Sequence, residues 1–444
     1  MKTSALFTDL YELTMAQAYA AEHMDRDAVF ELTFRKMPAN RNYILAAGIS
    51  DVLNFLATFR FEQADLEYLE GRGAFSRDFL RQLESLRFTG DVHALPEGTL
   101  VFPNEPIVQV TAPIIEAQLM ETFVLNQIHF QSLAVAKAAR IIEAARGRSV
   151  VDFGSRRAHG TDAAVKVARA SYMAGGSGTS NVLAGQMYGI PVFGTMAHSY
   201  IQAHESELES FDAFANLYPE TTLLVDTYDT LDGVRRVIGL HRKLKDKFRV
   251  KAIRLDSGDL GALAFAARRM LDDAGLRHVA IFASSSLDEY EIERLVSSGA
   301  PIDIFGVGTK LAVMDDASHL DMAYKLVEYA GKGRLKLSTS KLLYPGRKQV
   351  FRQVENGMMV RDVVGRFAEI LPGEPLLQPV MRAGQAIAPI DLNESRARLQ
   401  GEINRLPAQF RGLTPAPTPY AVAISEQLES DLSSIRKEIE SLDN

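Results

Sequence analysis

The stretch RVKAIRLDSGDLGALAFAARRMLDDAGLRHVAIFASSS, residues 249–286, has the pattern of a strand, a helix and a second strand. Its two ends are short apolar, β-branched runs, and the segment between them has helical periodicity. Runs of the same kind recur at residues 149–154, 190–195, 221–227 and 302–309, at steps of roughly thirty residues. This alternation predicts a parallel sheet built from βαβ units. Because so many units follow in series, we expect an α/β fold of the (β/α) barrel type in preference to an open sheet.

The residues on either side of this middle part have a different pattern. Residues 1–145 combine an amphipathic N-terminal helix, short β segments punctuated by proline and glycine, and a long connecting helix. Residues 326–444 indicate antiparallel β structure with glycine turns, followed by a charged amphipathic helix at 425–442. We therefore expect the barrel, with the active site, over residues 146–325, and a discontinuous α+β domain that the two flanks build together.

The composition favours a folded protein that acts on small molecules. At 444 residues and 47% hydrophobic side chains, the chain can bury a large core. The net charge of −7 without a basic run gives no electrostatic footprint for nucleic acid. The lack of cysteine excludes disulfides, thiol nucleophiles and cysteine-ligated metals. No window approaches the ~18 apolar residues of a membrane span, and the N-terminus lacks the apolar core of a signal peptide, so we expect a cytoplasmic protein.

Small and hydroxyl residues follow three of the predicted strands. In a parallel barrel, the chemistry belongs at the carboxyl ends of the strands. Turns of this composition before a helix let backbone N–H groups and hydroxyls face a phosphate. They are Ser257-Gly258, Ser284-Ser285-Ser286 and Gly306-Val307-Gly308-Thr309. Each alone could be an ordinary turn, but three in consecutive units favour a phosphate site.

Charged residues stand beside these turns. Asp226 and Asp256 come at strand ends, where a carboxylate can bind ribose hydroxyls or a magnesium-bound phosphate, although each could instead cap a helix. Arg156, Arg157 and Arg254 add positive charge at the same ends, and the planar guanidinium suits carboxylate or phosphate. For Arg156 and Arg157 the alternative is a solvated turn.

A histidine lies where the run 190–195 gives way to a helix. This residue is His198, and Ser199 after it is placed to cap the helix. An imidazole titrates near neutrality and can serve as acid, base or nucleophile. The alternative is a packed structural histidine. His159 and His204 are weaker candidates, and the nine histidines show none of the paired spacings of a metal site.

Seven motifs, taken in chain order, form one specific set. They are TDLYELTMAQAY (8–19), FELTFRKMPANRNYILAAG (30–48), DFGSRRAHG (152–160), GGSGTSNVLAG (175–185), GTMAHSYI (194–201), IRLDSGDL (253–260) and FGVGTKL (305–311). As a set they closely resemble nicotinate phosphoribosyltransferases, over roughly residues 5–350. The resemblance implies the type II phosphoribosyltransferase fold, an irregular (β/α) barrel with a flanking domain, working as a head-to-tail homodimer that shares its active sites.

The resemblance also implies a reaction. Nicotinate, 5-phosphoribosyl 1-pyrophosphate and ATP give nicotinate mononucleotide, pyrophosphate, ADP and phosphate, a step of NAD salvage. His198 matches the histidine that the family phosphorylates, and Asp226 and Asp256 are the expected catalytic carboxylates and Mg²⁺ ligands. The residues expected at nicotinate are Tyr11 from the partner subunit, Phe153, Arg156, Ser180, Thr195 and Arg254. Those expected at the phosphates are Arg35, Arg41, Ser257, Gly258, Ser284, Ser285, Gly306, Gly308 and Thr309.

Other functions stay open at this point. Nicotinamide phosphoribosyltransferases share the architecture, but an aspartate stands there in place of Ser180, and it would repel the carboxylate of nicotinate. Ser180 could also simply cap the helix after it. A quinolinate enzyme would be expected to show a denser basic cluster. A non-catalytic, nucleotide-binding member of the fold would be expected to have lost some of the site residues, which are all present.

Overall fold

A computed structural model describes residues 3–337 and 343–442. Within these ranges the helices are α1 (Leu10–Ala21), α2 (Ile49–Thr58), α3 (Gln63–Gly71), α4 (Arg77–Ser85), α5 (Ile114–Gln118), α6 (Glu121–Ala145), α7 (Thr161–Ala174), α8 (Val182–Tyr188), α9 (His198–Gln202), α10 (Glu207–Leu217), α11 (Thr230–Leu244), α12 (Leu260–Asp273), α13 (Glu289–Ser297), α14 (Thr309–Val313), α15 (Leu392–Arg405), α16 (Ala408–Arg411) and α17 (Glu426–Leu442).

The strands in the same ranges are β1 (Asp27–Phe34), β2 (Ile44–Leu45), β3 (Asp91–Ala94), β4 (Leu100–Val101), β5 (Val108–Pro113), β6 (Ser149–Asp152), β7 (Gly178–Thr179), β8 (Thr222–Leu224), β9 (Ala252–Leu255), β10 (Ala280–Ser284), β11 (Ile304–Val307), β12 (Met322–Tyr329), β13 (Lys332–Gly333), β14 (Lys348–Glu355), β15 (Met358–Arg366), β16 (Glu374–Pro375), β17 (Gln378–Arg382), β18 (Gln385–Ala386) and β19 (Val422–Ile424).

The chain divides into two compact units. One consists of Met1–Leu133 with His319–Asn444, and the other of Ala134–Ser318. The first division falls inside α6 and the second just before β12, so both come earlier than positions 146 and 326, where the sequence pattern changes.

The Ala134–Ser318 unit contains the parallel sheet. Its strand order is β7-β6-β11-β10-β9-β8, and each neighbouring pair is parallel. Helices α11, α12 and α13 connect β8 to β11 as successive βαβ units. The four residues of β9 are all buried, as expected for a strand covered on both faces. Because the strands are parallel, their carboxyl ends lie along one edge, and β6 is brought beside β11.

The predicted strand at residues 190–195 is wrong in its extent. Only Val192 makes a bridge, which is parallel and joins it to Thr179. Pro191 has no N–H to donate, and the segment from Pro191 to Gly194 is exposed, so the run adds only this single bridge at the edge of the sheet, beside β7. The place beside β6 belongs to β7, which the sequence analysis did not predict because a two-residue strand in a glycine-rich stretch has no apolar run.

The other unit combines strands from both flanks. Its largest sheet has the order β13-β12-β1-β5-β3-β17-β18, so that β1 pairs with β5 from the N-terminal flank and with β12 from the C-terminal one. A second sheet has the order β16-β14-β15-β19. The predicted C-terminal helix is present as α17. Residues 338–342 of the predicted β segment lie outside the described residues.

Candidate active site

Two aspartates meet at the carboxyl ends of β8 and β9. Oδ2 of Asp226 accepts hydrogen bonds from the backbone N–H of Asp256, at 3.0 Å, and from the Ser257 hydroxyl, at 2.5 Å. Asp226 is buried, and its Oδ1 has no hydrogen-bond partner within the described ranges. Asp226 therefore holds the backbone at Asp256 in place while one of its own oxygens stays uncommitted.

Arg254, in β9, is the cation of this cluster. Its Nε donates to the Ser284 hydroxyl at 2.8 Å, and its Nη2 donates to Oδ1 of Asp256 at 3.0 Å. The Ser284 hydroxyl also donates to Oδ1 of Asp256. The guanidinium carbon lies 5.2 Å from the centroid of the Phe153 ring, within the range of a cation–π contact. An anionic ring bound against Phe153 would thus meet a positive charge.

His198 is the first residue of α9. Its Nδ1 lies 3.1 Å from Oγ1 of Thr227, and its Nε2 lies 3.8 Å from Oδ2 of Asp256. The side chain is 42% exposed, so a substrate can reach the ring. The prediction that Ser199 caps this helix is wrong, because the N-cap is Ala197 and Ser199 already lies in the first turn. The structure brings His198, at the start of α9, together with Thr227 and Asp256, which follow β8 and β9.

The Phe153 ring packs against Phe282, with 5.4 Å between the ring centroids. A Cβ atom on Gly306 would lie 2.8 Å from the Phe282 ring and 2.9 Å from the Phe153 ring. Neither ring could stay in place against such an atom. Gly306, expected at a phosphate, therefore has a packing reason of its own, which is to leave room for this aromatic pair.

Asp152, the last residue of β6, connects that strand to β7. Its Oδ1 accepts from the backbone N–H of Gly154, and its Oδ2 accepts from the Thr179 hydroxyl, both at 2.7 Å. The Asp152 carbonyl accepts from the backbone N–H of Ser180 at 2.8 Å. The interpretation of Ser180 as a helix cap is wrong, because Asn181 caps α8 through a hydrogen bond from the Ala184 N–H.

Comparisons with known proteins agree over nearly the whole chain. Three family models match in order: the nicotinate phosphoribosyltransferase N-terminal domain at residues 6–129, the nicotinate phosphoribosyltransferase family at 148–337, and the C-terminal domain at 372–432. The chain is 59% identical to the nicotinate phosphoribosyltransferase pncB2 of Mycobacterium tuberculosis, covering 97% of this chain and 94% of that protein. The chain belongs to the nicotinate phosphoribosyltransferase family.

More distant members agree with this assignment. The nicotinate phosphoribosyltransferase of Bacillus subtilis is 43% identical, over 78% of this chain and 73% of that protein. The crystal structure of human nicotinic acid phosphoribosyltransferase superposes with a TM-score of 0.86 at 30% identity, covering 96% of this chain and 99% of that one. The predicted family, the fold class and the prediction of a nicotinate phosphoribosyltransferase enzyme are confirmed.

The hydroxyl and glycine turns that are expected to bind the phosphates follow β9, β10 and β11. Ser285 has a φ of 94°, a strained value for a residue with a side chain, and it is exposed directly after β10. Gly258 has a φ of 77°, and Ser257 and Thr309 are exposed. Gly308 precedes α14, and a Cβ atom added to it would lie 3.2 Å from the Phe153 carbonyl oxygen. These turns present backbone groups to solvent at the same edge as Asp256.

The remaining candidate residues of the Ala134–Ser318 unit differ in exposure. Arg156 and Arg157 form a 3₁₀ turn after β6 and are exposed, as is His159. The Thr195 hydroxyl donates to the Thr222 carbonyl, which ties the exposed segment after Val192 to β8. Nδ1 of His204 lies 2.8 Å from the Tyr200 carbonyl on the preceding turn, so His204 has a local structural role.

Three further candidates belong to the other unit. Tyr11, on α1, is 44% exposed, and burial together with the charge of Glu121 raises its pKa. Nη1 of Arg35 lies 3.2 Å from Oδ1 of Asp321, and the Arg35 side chain remains 23% exposed. Arg41 is buried. Of the two arginines expected at the pyrophosphate, Arg35 is the accessible one.

The sequence analysis missed Asp152, Thr179 and Thr227. An aspartate that directly ends an apolar strand, as in VVDF, signals a buried carboxyl group with fixed partners. No comparable signal marks Thr179 or Thr227, because their partners, Asp152 and His198, come from distant parts of the chain. Within residues 3–337 and 343–442, no helix has the length and apolar character needed to cross a bilayer.

Proposed function

We propose that this chain transfers the phosphoribosyl group of 5-phosphoribosyl 1-pyrophosphate to nicotinate, and that ATP drives the transfer through phosphorylation of His198. The observation that carries the proposal is the cluster of Arg254 and Asp256, at the end of β9, with His198, at the start of α9, within the residues that match the family. The products are nicotinate mononucleotide, pyrophosphate, ADP and phosphate.

Transfer from ribose C1 requires stabilisation of positive charge on the sugar. The reaction passes through an oxocarbenium-like state, which a fixed carboxylate stabilises electrostatically. Asp256 is suited to this because Arg254 and Ser284 both hold its Oδ1, so the carboxylate is oriented before substrate binds. Its Oδ2 remains directed toward His198.

His198 is the proposed phosphate acceptor. Thr227 engages its Nδ1 at 3.1 Å and so orients the ring, and its Nε2 faces Asp256 at 3.8 Å, beyond hydrogen-bond distance. An imidazole nitrogen attacks the γ-phosphorus of ATP, the bond to ADP breaks, and the phosphate later leaves to water. The phosphorylated state places negative charge beside Asp256, which requires a cation nearby.

Magnesium suits this requirement. Within the described ranges no three His, Asp or Glu side chains form a metal cluster. Mg²⁺, however, usually takes only one or two protein carboxylates and completes its shell with water and substrate phosphate. Asp226 and Asp256 offer such a pair, and the uncommitted Oδ1 of Asp226 is a buried atom that a cation would satisfy. Bound there, magnesium would neutralise charge on the departing pyrophosphate.

The same proposal assigns the base to the Phe153 side of the cluster. The ring of nicotinate stacks on Phe153, its carboxylate is neutralised by Arg254 and Arg156, and Ser180 adds no negative charge. Thr195 shapes the pocket. The 5′-phosphate binds at Ser284, Ser285, Gly306, Gly308 and Thr309, with Ser257 and Gly258 alongside. Tyr11 completes the site of the partner subunit in a cytoplasmic homodimer.

The test is product formation from each base. The protein is incubated with nicotinate or nicotinamide, 5-phosphoribosyl 1-pyrophosphate, magnesium and ATP, and the mononucleotide is quantified. We expect nicotinate mononucleotide. Absence of product from both bases would favour the non-catalytic alternative, and product from nicotinamide alone would overturn the specificity.

The phosphohistidine is tested with γ-labelled ATP. We expect the label on the wild type and on His204→Ala, and none on His198→Ala. His204 is the matched control because it lies just beyond the end of α9 and its ring nitrogen bonds only locally. Label retained on His198→Ala would show that another residue is the acceptor.

A further inference from the structure

One buried carboxyl group beside the candidate site has no part in the proposed mechanism. Asp152 is fully buried at the end of β6, and both of its oxygens accept hydrogen bonds from uncharged donors, at 2.7 Å each. A buried carboxyl group is unfavourable unless its hydrogen bonds are complete. Burial accordingly raises the pKa of Asp152, and the two hydrogen bonds oppose that rise.

The two donors come from the two strand ends that would form the base pocket. The Gly154 N–H belongs to the peptide that follows Phe153. The Thr179 hydroxyl belongs to the residue before Ser180, and it accepts in turn from the Asn181 N–H at 3.0 Å. The Ser180 N–H donates to the Asp152 carbonyl at 2.8 Å. The side chain of Asp152 thus binds Gly154 and Thr179, and its main chain binds Ser180, so that Asp152 contacts both sides of the proposed base pocket.

We propose that Asp152 is a positioning residue for the base: through Gly154 and Thr179 it fixes the separation of Phe153 and Ser180, and thereby the affinity for nicotinate. The inference rests on the proposed function, and it adds a residue that influences the affinity for nicotinate without contacting a substrate. We expect its main effect on one substrate, because the hydrogen bonds of the Asp152 carboxyl group end at Gly154 and Thr179, whereas the phosphate turns follow β9, β10 and β11. The one phosphate turn that adjoins this segment, at Val307 and Gly308, meets its main chain and not the Asp152 carboxyl group.

The geometry explains why an aspartate is needed. Two donors converge on one side chain, so two acceptor oxygens are required. Asparagine offers one acceptor, and its amide N–H group would face either the Gly154 N–H or the Thr179 hydroxyl. The Thr179 oxygen already accepts from Asn181, and its proton would lose its partner in a buried place.

The test compares Asp152→Asn, Thr179→Val and the double variant, with Thr179→Ser as the matched control that keeps the hydroxyl. We expect each single variant to raise the KM for nicotinate roughly tenfold, and the double variant to do little more, because both remove the same link. Thr179→Ser should stay near wild type. The KM for 5-phosphoribosyl 1-pyrophosphate and the labelling of His198 by ATP should change less than about twofold in all four.

Several outcomes would overturn the inference. A parallel rise of both KM values, additive effects in the double variant, or an unchanged KM for nicotinate would each do so. If Asp152→Asn does not fold, the comparison of Thr179→Val with Thr179→Ser gives the same decision. A wild type that forms no nicotinate mononucleotide would overturn the proposed function and this inference together, whereas an active wild type with unaffected variants would overturn only the inference.

Discussion

At the residue scale, the candidate site depends on the carboxylate of Asp256, which several groups contact. Oδ1 of Asp256 accepts from Arg254 and Ser284, its backbone N–H donates to Asp226, and its Oδ2 faces His198. These contacts fix the carboxylate in the free protein, so little reorganisation remains for the reaction step. Arg254 is close to Asp256 in sequence, whereas Asp226, Ser284 and His198 come from distant parts of the chain that the fold brings beside it.

Replacing Ser180 by aspartate should shift the preference for the base away from nicotinate. Two like charges about 4 Å apart at an effective dielectric constant near 20 repel by about 4 kcal/mol. Ser180→Asp should therefore lower kcat/KM for nicotinate by a factor on the order of 10² to 10³, with a smaller effect on nicotinamide. Ser180→Ala, which removes the hydroxyl without adding charge, is the control. Equal losses in both variants would contradict the electrostatic explanation.

Gly306→Ala should disturb the aromatic pair. The added methyl group would lie 2.8 Å from Phe282, and overpacking of this kind costs about 1–3 kcal/mol. We expect a lower midpoint of urea unfolding and a higher KM for nicotinate. Gly239→Ala, in α11, is the matched control, because nothing lies within 4 Å of its added methyl group and alanine favours the helix. A neutral Gly306→Ala would show that the rings move without penalty.

At the element scale, the start of α13 and the segment after α14 are tied to α6 by ion pairs. Nζ of Lys137, on α6, lies 2.5 Å from Oε2 of Glu289, the first residue of α13, and 2.8 Å from Oδ1 of Asp316, which follows α14. Arg140, on the same face of α6, donates to the other oxygen of Glu289 at 3.0 Å. Because α13 follows the turn Ser284-Ser285-Ser286 and α14 begins at Thr309, this buried ion cluster holds the elements that come after two of the hydroxyl and glycine turns against α6.

Lys137→Met should destabilise the protein strongly. The Lys137 side chain is 1% exposed and that of Glu289 is 0% exposed, and breaking a buried ion pair typically costs about 3–5 kcal/mol. The control is Lys251→Met, which removes an exposed pair with Glu220, worth less than about 1 kcal/mol. The free energy of unfolding in urea gives the comparison. Equal effects of the two substitutions would contradict the role of the buried cluster.

At the scale of the whole molecule, the unit built from both flanks contains a second buried charge network. Arg352 is fully buried, and its Nε and Nη2 donate to Asp362 at 3.0 and 2.6 Å. It also donates to Glu402. Burial and the charge of Asp362 raise the pKa of the nearby Glu105 well above its ordinary value of 4.5. The network joins residues from widely separated parts of the chain.

The raised pKa of Glu105 gives the stability a pH dependence. Above pH 4.5 the unfolded chain loses this proton, while the native state keeps it until the pH reaches the raised pKa. The free energy of unfolding therefore falls as the pH rises through this window, by about 1.4 kcal/mol per pH unit for this group. Glu105→Gln should remove this contribution, so its stability relative to wild type should increase with pH. Thermal unfolding of both proteins between pH 4 and pH 8 measures this difference in stability. The exposed substitution Glu355→Gln is the control. Parallel curves would contradict the prediction.

Much of the fold and the site could be predicted from local pattern. The runs at residues 221–227, 249–258, 278–286 and 302–309 became β8 to β11, because a buried parallel strand needs an apolar run that the sequence displays directly. The run at 190–195 has the same appearance, yet it forms only one bridge, at the edge of the sheet. Its proline and its exposure show that an apolar run is necessary for such a strand but does not decide where it pairs.

The sequence by itself determined the family, the alternation of strand and helix, and the residues His198, Asp226, Arg254 and Asp256 as site candidates, because motif identity and hydrophobic period are local properties. Only the tertiary structure decided which strand ends are neighbours. The pairing of β6 with β7 and β11 places Asp152 against Thr179, and Gly306 against the Phe153 ring. Such contacts join residues distant in the chain, and they depend on strand order and close packing, which no local pattern contains.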